Sequence, residues 1–297
     1  MRVGFFGFAK ANSFAQAAWA GVQEAAQENN ATAEFVDSNF DGAVQVQQLT
    51  DAVTSKRFDV VVIQANDGTA ITQPVKQALA AGITVVVEFT PVGGRFDTVE
   101  PQVDGVISIV DAPTANGEGL AKMGLDACKQ LGKQPCQVAY LQGFDNYPLD
   151  AARTEAAVNA LKAGRGPTWS PAPSAATPPT RAAPRCRTSC RPTPGVNVVI
   201  GSSQAIEGAS ALTEGRTDVL YVGNGGSTQA YAGVMDGTWY GTYVIPEKTD
   251  GKTATELGLE KHRGQDVPMA TDSADLTPFK ALGTKETLQG LTAEYSD

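Results

Sequence analysis

Phe58-Asp59-Val60-Val61-Val62-Ile63-Gln64-Ala65-Asn66-Asp67 is followed, after a helical interval, by Gly82-Ile83-Thr84-Val85-Val86-Val87-Glu88-Phe89. Both are short Val and Ile runs without polar alternation, the pattern of strands buried on both faces of a parallel sheet. The interval 69–81 has the length of a crossover helix and closes at Gly82, so the pair reads as one strand–helix–strand unit. Working outward, residues 3–8 form another apolar run. A helix follows, with Ser13 and Gln16 as a Ser-x-x-Gln capping box. Ala15, Trp19, Val22 and Ala26 recur on one face of that helix, which ends at Asn29 and Asn30, and Trp19 reads as core. A strand over 33–36 and a helix over 44–55 capped by Asp41 complete one doubly wound lobe.

A second series begins beyond the Gly-, Pro- and acid-rich loop 90–102. The expected strands are 105–110, 137–141, 197–200 and 218–222, and the expected helices 114–130, 149–162 and 205–213. A second lobe thus repeats the first. The remainder, with a strand over 242–245, a helix over 254–262 and a final segment 267–297, is too short for a third domain and is expected to complete both lobes.

With 297 residues, 42% of them hydrophobic, and a mean hydropathy of -0.17, the chain can bury a core of about two domains. Its apolar runs have strand length and fall short of the ~18 to 20 residues of a membrane helix. A net charge of -9 and a pI near 4.7 argue against nucleic acid, whose phosphates call for clustered Lys and Arg. At the N-terminus, Arg2 precedes an apolar stretch broken by Gly4 and Gly7 and ended at Lys10. That suits a first strand better than a signal peptide, so an exported protein would already have had its signal removed here.

Residues 167–194 break the surrounding pattern: they hold 8 of the 17 Pro and 4 of the 11 Arg, with no apolar periodicity. A strand–helix unit is expected there. Shifting the codons of residues 185–194 by one nucleotide permits Leu-Gln-Asp-Val-Leu-Gln-Ala-Asp-Pro, a helical string leading directly into Gly195-Val196-Asn197, so the segment reads as a frame error and Cys186 and Cys190 as its artefacts. Of the four cysteines, Cys128 and Cys136 remain, either bridged in an oxidising compartment or standing as two buried thiols. A zinc site is rejected, since the one histidine is His262 and no second Cys pair accompanies Cys186 and Cys190.

That single histidine, in the charged stretch Glu260-Lys261-His262-Arg263, removes most Ser-His and Cys-His mechanisms. Neither a Gly-x-Gly-x-x-Gly nor a Gly-x4-Gly-Lys-Ser/Thr pattern occurs, and no cofactor is expected. Val222-Gly223-Asn224-Gly225-Gly226-Ser227 could cradle an anion on its backbone N–H groups, or be a tight strand-to-helix turn. What remains is a set of polar and aromatic residues at the carboxyl ends of the strands: Asn12, Phe14, Glu88, Phe89, Phe144, Asp145, Asn146, Ser202, Gln204 and Asn224. Ligands of open α/β sheets bind at that edge. Aromatic faces pack on sugar C–H groups while amides, carboxylates and guanidinium groups satisfy hydroxyls.

These features resemble a type I periplasmic binding protein of the ribose-binding, sugar ABC-transporter family. The resemblance rests on Ala11-Asn12-Ser13-Phe14, similar to the family's Asn-Pro-Phe-Phe, on the stretch 58–67, and on Val75-Lys76-Gln77-Ala78 with Ala81-Gly82-Ile83-Thr84-Val85-Val86. Tyr221-Val222-Gly223 and Met235-Asp236-Gly237-Thr238 add to it, and the frame-shifted string is similar to the family's Met-Gln-Asp-Leu-Leu-Gln helix. The family implies a periplasmic binding protein-like I fold: two doubly wound parallel-sheet lobes joined by a three-segment hinge, closing on a ligand and docking on a membrane permease. Crossovers near Val103, Val244 and Ala270 would give an N-terminal lobe of 1–103 plus 245–270 and a C-terminal lobe of 104–244 plus 271–297. Asn12 and Phe14 match the family's first-loop contacts and Arg153 its second-lobe arginine. The usual Asp-Arg after the fourth strand is Phe89-Thr90 here, the usual Asn-Asp is Ser202-Ser203, the usual Asp before Gly226 is Gly225, and the usual Gln of the last crossover is Ile245. A smaller polyol or another polar solute therefore fits as well as a pentose or hexose.

The expected protein is a non-enzymatic, monomeric, periplasmic or cell-surface binder of a small sugar or polyol, partnered by an ABC permease and without metal or nucleic acid. Two rivals remain: the effector-binding core of a sugar-responsive transcription regulator, here without a helix-turn-helix, and an α/β enzyme using Glu88 or Asp145.

Overall fold

Val60–Ile63 is β3, buried along its whole length, and it lies between β1 (Arg2–Gly7) and β4 (Thr84–Phe89), parallel to both. The computed structural model describes residues 1–144, 147–164, 195–211 and 216–297. The segment 167–194, with its frame-error reading, Cys186 and Cys190, lies outside the described residues, as do Asp145, Asn146 and the last two residues of the expected helix 205–213. The described chain divides into two units. Unit 1 comprises Met1–Ala112 and Pro246–Leu276, and unit 2 comprises Pro113–Ile245 and Thr277–Asp297. The divisions thus fall after Ala112, Ile245 and Leu276, against the expected positions near Val103, Val244 and Ala270. Where the expectation ends the first segment in the loop, the chain goes on through β5 (Ile107–Val110) within unit 1.

In unit 1 the six-stranded sheet has the order β10-β5-β4-β3-β1-β2, all parallel, with β2 (Thr32–Asp37) at one edge and β10 (Ala270–Asp272) at the other. Phe6, Val61, Ile63, Val85 and Val87 pack with Leu49 of α2 (Gly42–Thr54) and Val75 of α3 (Thr72–Ala80) in one core cluster. Each such side chain contributes about 1.5–3 kcal/mol on burial. Asp41 caps α2 by accepting from Ala43 N at 2.9 Å and Val44 N at 3.0 Å. The cap of α1 (Ser13–Glu28) is Asn12 rather than the expected Ser13: Asn12 Oδ1 accepts from Ala15 N at 2.9 Å, and Gln16 Nε2 donates to Lys10 O at 2.8 Å. The difference arises because Asn12 has the extended backbone a cap needs and Ser13 is already helical.

The opposite face of this sheet is covered by α8 (Glu247–His262), packed on α1. This helix starts seven residues before the expected Ala254. Its first turns, Glu247-Lys248-Thr249-Asp250-Gly251, look like a loop in sequence because the apolar stripe is missing, but they pack through close backbone approach. A Cβ on Gly21 would sit 2.0 Å from Lys248 O, and one on Gly251 would sit 2.2 Å from Ala18 O. Only hydrogen fits at either point. Half-buried lysines then bind across: Lys248 and Lys252 each lie 2.7 Å from Glu24, whose pKa falls to about 2 chiefly through the Lys248 hydrogen bond.

Unit 2 carries a five-stranded sheet in the order β11-β9-β8-β7-β6. Its strands β6 (Val138–Tyr140), β7 (Val198–Ser202), β8 (Leu220–Asn224) and β9 (Trp239–Tyr243) are parallel, and β11 (Leu282–Thr284) pairs with β9 antiparallel. Around it lie α4 (Pro113–Leu131), α5 (Pro148–Ala163), α6 (Ser203–Ala211), α7 (Thr228–Asp236) and the single turn α9 (Lys285–Leu288). The final segment thus gives β10 to the first sheet and β11 to the second. Cys128, near the end of α4, and Cys136, just before β6, form a disulfide. Among the described residues no helix is long and apolar enough to cross a membrane.

Candidate functional site

At the carboxyl edge of the unit 1 sheet the ends of three strands and the first turn of α1 bring aromatic rings together. Phe8 follows β1, Phe40 follows β2, Phe89 ends β4 and Phe14 lies in the first turn of α1. Phe14 and Phe89 meet edge to face with centroids 4.8 Å apart, Phe8 and Phe89 meet in the same way at 6.0 Å, and Phe8 stacks on Phe40 at 6.0 Å. Such pairs add about 0.5–1.5 kcal/mol beyond burial. Thr90 N donates to Glu88 O at 2.7 Å, closing a three-residue turn whose central residue, Phe89, has φ +61°. Phe40 has φ +62° and is tied down by its N–H donating to Phe8 O at 2.8 Å. A bulky side chain in the left-handed region costs on the order of 1–3 kcal/mol and persists only where the surroundings over-determine it.

The polar groups of this edge bind one another. Asn12 caps α1. Ser38 Oγ donates to the Gly7 and Phe8 carbonyls, at 3.2 and 3.1 Å, and accepts from Asn66 Nδ2 at 2.7 Å. Thr90 is different: its Oγ1 is buried and has no hydrogen-bond partner among the described residues.

Glu88 stands apart from the other predicted site residues. It alternates with Val87 along β4 and so points to the face beneath α8, fully buried, and the expectation that it sits with the solute-facing groups is corrected on that ground. There one of its carboxylate oxygens and one each from Glu247 and Asp250 lie within 4.8 Å of one another. Gln64 Nε2 donates to Glu247 Oε1 at 2.5 Å and Ser273 Oγ to Asp250 Oδ2 at 2.5 Å. Burial, and next the Asp250 charge, push the Glu88 carboxyl well above its ordinary range, while Gln64 and Glu247 pull it down. Three buried carboxyls so close repel one another, which favours the neutral form of Glu88, and the positive N-terminus of α8, where Glu247 and Asp250 lie, offsets part of the remaining charge.

In unit 2, Ser202 and Asn224 are direct register partners at the ends of β7 and β8, and Asn224 is in turn the partner of Tyr243 on β9. The three form a row along the carboxyl edge. Asn116, in the second turn of α4 and fully buried, donates from Nδ2 to Asn224 Oδ1 at 3.1 Å. Ser202 Oγ accepts from Ala205 N at 3.3 Å, with Gln204 in the turn it caps. Arg153 of α5 has 11% side-chain exposure and pairs with Asp150 at 3.2 Å, and the other Asp150 oxygen accepts from Phe144 N at 2.8 Å. The Gly-rich turn 222–227 is no anion cradle. Gly225 N donates to Tyr243 O at 2.8 Å, Gly226 N to Tyr295 Oη at 3.2 Å and Thr228 N to Tyr295 O at 2.8 Å.

The structure therefore groups Asn12, Phe14 and Phe89 in one unit, and Ser202, Gln204 and Asn224 in the other, with Arg153 held by Asp150. Sequence reasoning missed Phe8, Phe40, Thr90, Asn116 and Tyr243. Position just past a strand end was the available signal for Phe8 and Thr90, while nothing local marks Phe40, whose place depends on a positive φ.

Two units, each built on a mainly parallel sheet with polar or aromatic side chains at its carboxyl edge, match the architecture of two-lobed α/β binding proteins. The chain belongs to the periplasmic binding protein domain family, whose model matches residues 3–266. Among solved structures it is similar to an ABC transporter solute-binding protein from Mycobacterium smegmatis with bound glycerol, at 22% identity and a TM-score of 0.78, covering 100% of this chain and 99% of that one. It is also similar to a periplasmic solute-binding protein from Actinobacillus succinogenes 130z with bound D-allose, at 18% identity and a TM-score of 0.76, covering 97% and 99%. A third, from Bacillus halodurans C-125 with bound myo-inositol, has 18% identity and a TM-score of 0.75, covering 99% and 97%. No curated protein matches the chain.

Proposed function

We propose that the chain is the solute-binding component of an ABC importer, holding one small sugar or polyol with residues of both units and delivering it to a membrane permease. Asn12, Phe14 and Phe89 serve from unit 1 and Arg153, Ser202, Gln204 and Asn224 from unit 2, with Asp145 and Asn146 completing the set. The observation that carries this reading is that unit 1 has an aromatic carboxyl edge and unit 2 an amide and hydroxyl edge. Rings take the C–H faces of a sugar, and amides and hydroxyls take its hydroxyls. The relatives with bound glycerol, D-allose and myo-inositol lend support. Binding shifts a population of conformers and breaks no bond in the solute. The protein acts as a monomer outside the cytoplasm, where a disulfide such as Cys128–Cys136 persists, and this argues against a cytoplasmic regulator core. Isothermal titration against aldoses, polyols and amino acids tests the reading. A sugar or polyol bound at micromolar affinity or tighter is expected, and silence across the panel would overturn it.

A further inference from the structure

The unit 1 half of the site is a wall of phenylalanine in which the polar side chains Asn12, Ser38 and Asn66 hold backbone or one another. Phe8, Phe14, Phe40 and Phe89 touch in sequence, and two of them are held at positive φ, which keeps their rings in the wall. One polar atom, Thr90 Oγ1, is buried beside Phe89 with no hydrogen-bond partner among the described residues. A hydroxyl set against the ring faces themselves would lose its water and gain no partner there. A methyl or methylene in the same place would gain ring contact.

We propose that this half-site selects a deoxy sugar, a ligand with a methyl or methylene where the ordinary sugar carries a hydroxyl, seated with that edge on the phenylalanines and one neighbouring hydroxyl on Thr90 Oγ1. This rests on the solute-binding reading above and adds the ligand's class. An apolar pocket rejects an added hydroxyl by up to about 100-fold, so a preference of about tenfold or more is expected.

Titration of the full chain with matched pairs reads this directly: D-fucose against D-galactose, L-rhamnose against L-mannose, and 2-deoxy-D-ribose against D-ribose. In at least one pair the deoxy member should bind about tenfold tighter or better. Phe89→Asn should erase that ratio, and because Asn tolerates a positive φ the variant keeps the turn, which its thermal unfolding will show. A ratio below tenfold in every pair that binds, or an unchanged ratio in Phe89→Asn, overturns the inference while leaving the solute-binding reading in place. Failure of every sugar in the panel to bind overturns the inference, and silence of the polyols as well overturns the solute-binding reading.

Discussion

Glu88 is a carboxyl buried beneath α8 with two others rather than set among the rings of the carboxyl edge. Fully buried against Glu247 and Asp250, with Gln64 and Ser273 donating into the group, it keeps its proton to higher pH than the ordinary value of 4.5. The folded state therefore binds this proton more tightly than the unfolded chain. Its contribution to stability is complete below the ordinary carboxylate range and declines as pH rises toward the raised folded value. Glu88→Gln, which has no proton to lose, should gain in thermal stability relative to the parent between pH 4 and pH 8. Unfolding curves across that range would contradict the account if the parent gained instead. Phe89 illustrates a different point: its identity is plain in the sequence, but its φ of +61° and its contacts with Phe8 and Phe14 are not, because they depend on a turn closed by Thr90 N and on two other segments.

The parallel strands were legible because buried Val and Ile runs have one common reading, and β3 and β4 fall where 58–67 and 82–89 place them. The start of α8 was not, since its packing rests on backbone contact at Gly21 and Gly251 and not on an apolar stripe. Gly251→Val should consequently destabilise the protein by about 2 kcal/mol or more in chemical denaturation. An unchanged midpoint would mean that the two helices do not meet as closely as described. The link between α4 and β6 admitted two readings, thiols or a bridge, and the structure has the bridge. Replacing both cysteines with Ser should cost about 2–3 kcal/mol. Mass spectrometry of the parent should show two hydrogens gained on reduction at Cys128 and Cys136, and free thiols in the purified protein would contradict it. The candidate site was legible in part: the strand-end rule found Asn12, Phe14, Ser202, Gln204 and Asn224, but Asn116 reaches Asn224 from a helix more than a hundred positions earlier, which no local pattern reports.

At the scale of the whole molecule, chain order builds both units. Unit 1 is built from Met1–Ala112 and Pro246–Leu276 and unit 2 from the rest, so the chain passes between them three times and each sheet receives one strand from the closing segment. Each sheet brings a different emphasis to its carboxyl edge, rings in the first and amides and hydroxyls in the second, and the proposed function uses both on one polyhydroxyl solute. The claim that these edges act on one molecule is tested most directly by a crystal structure of the protein with its tightest-binding sugar or polyol. The account predicts density for an unaltered solute touching both Phe14 and Asn224. A solute held by one unit only, or recovered as a chemically changed product, would contradict it.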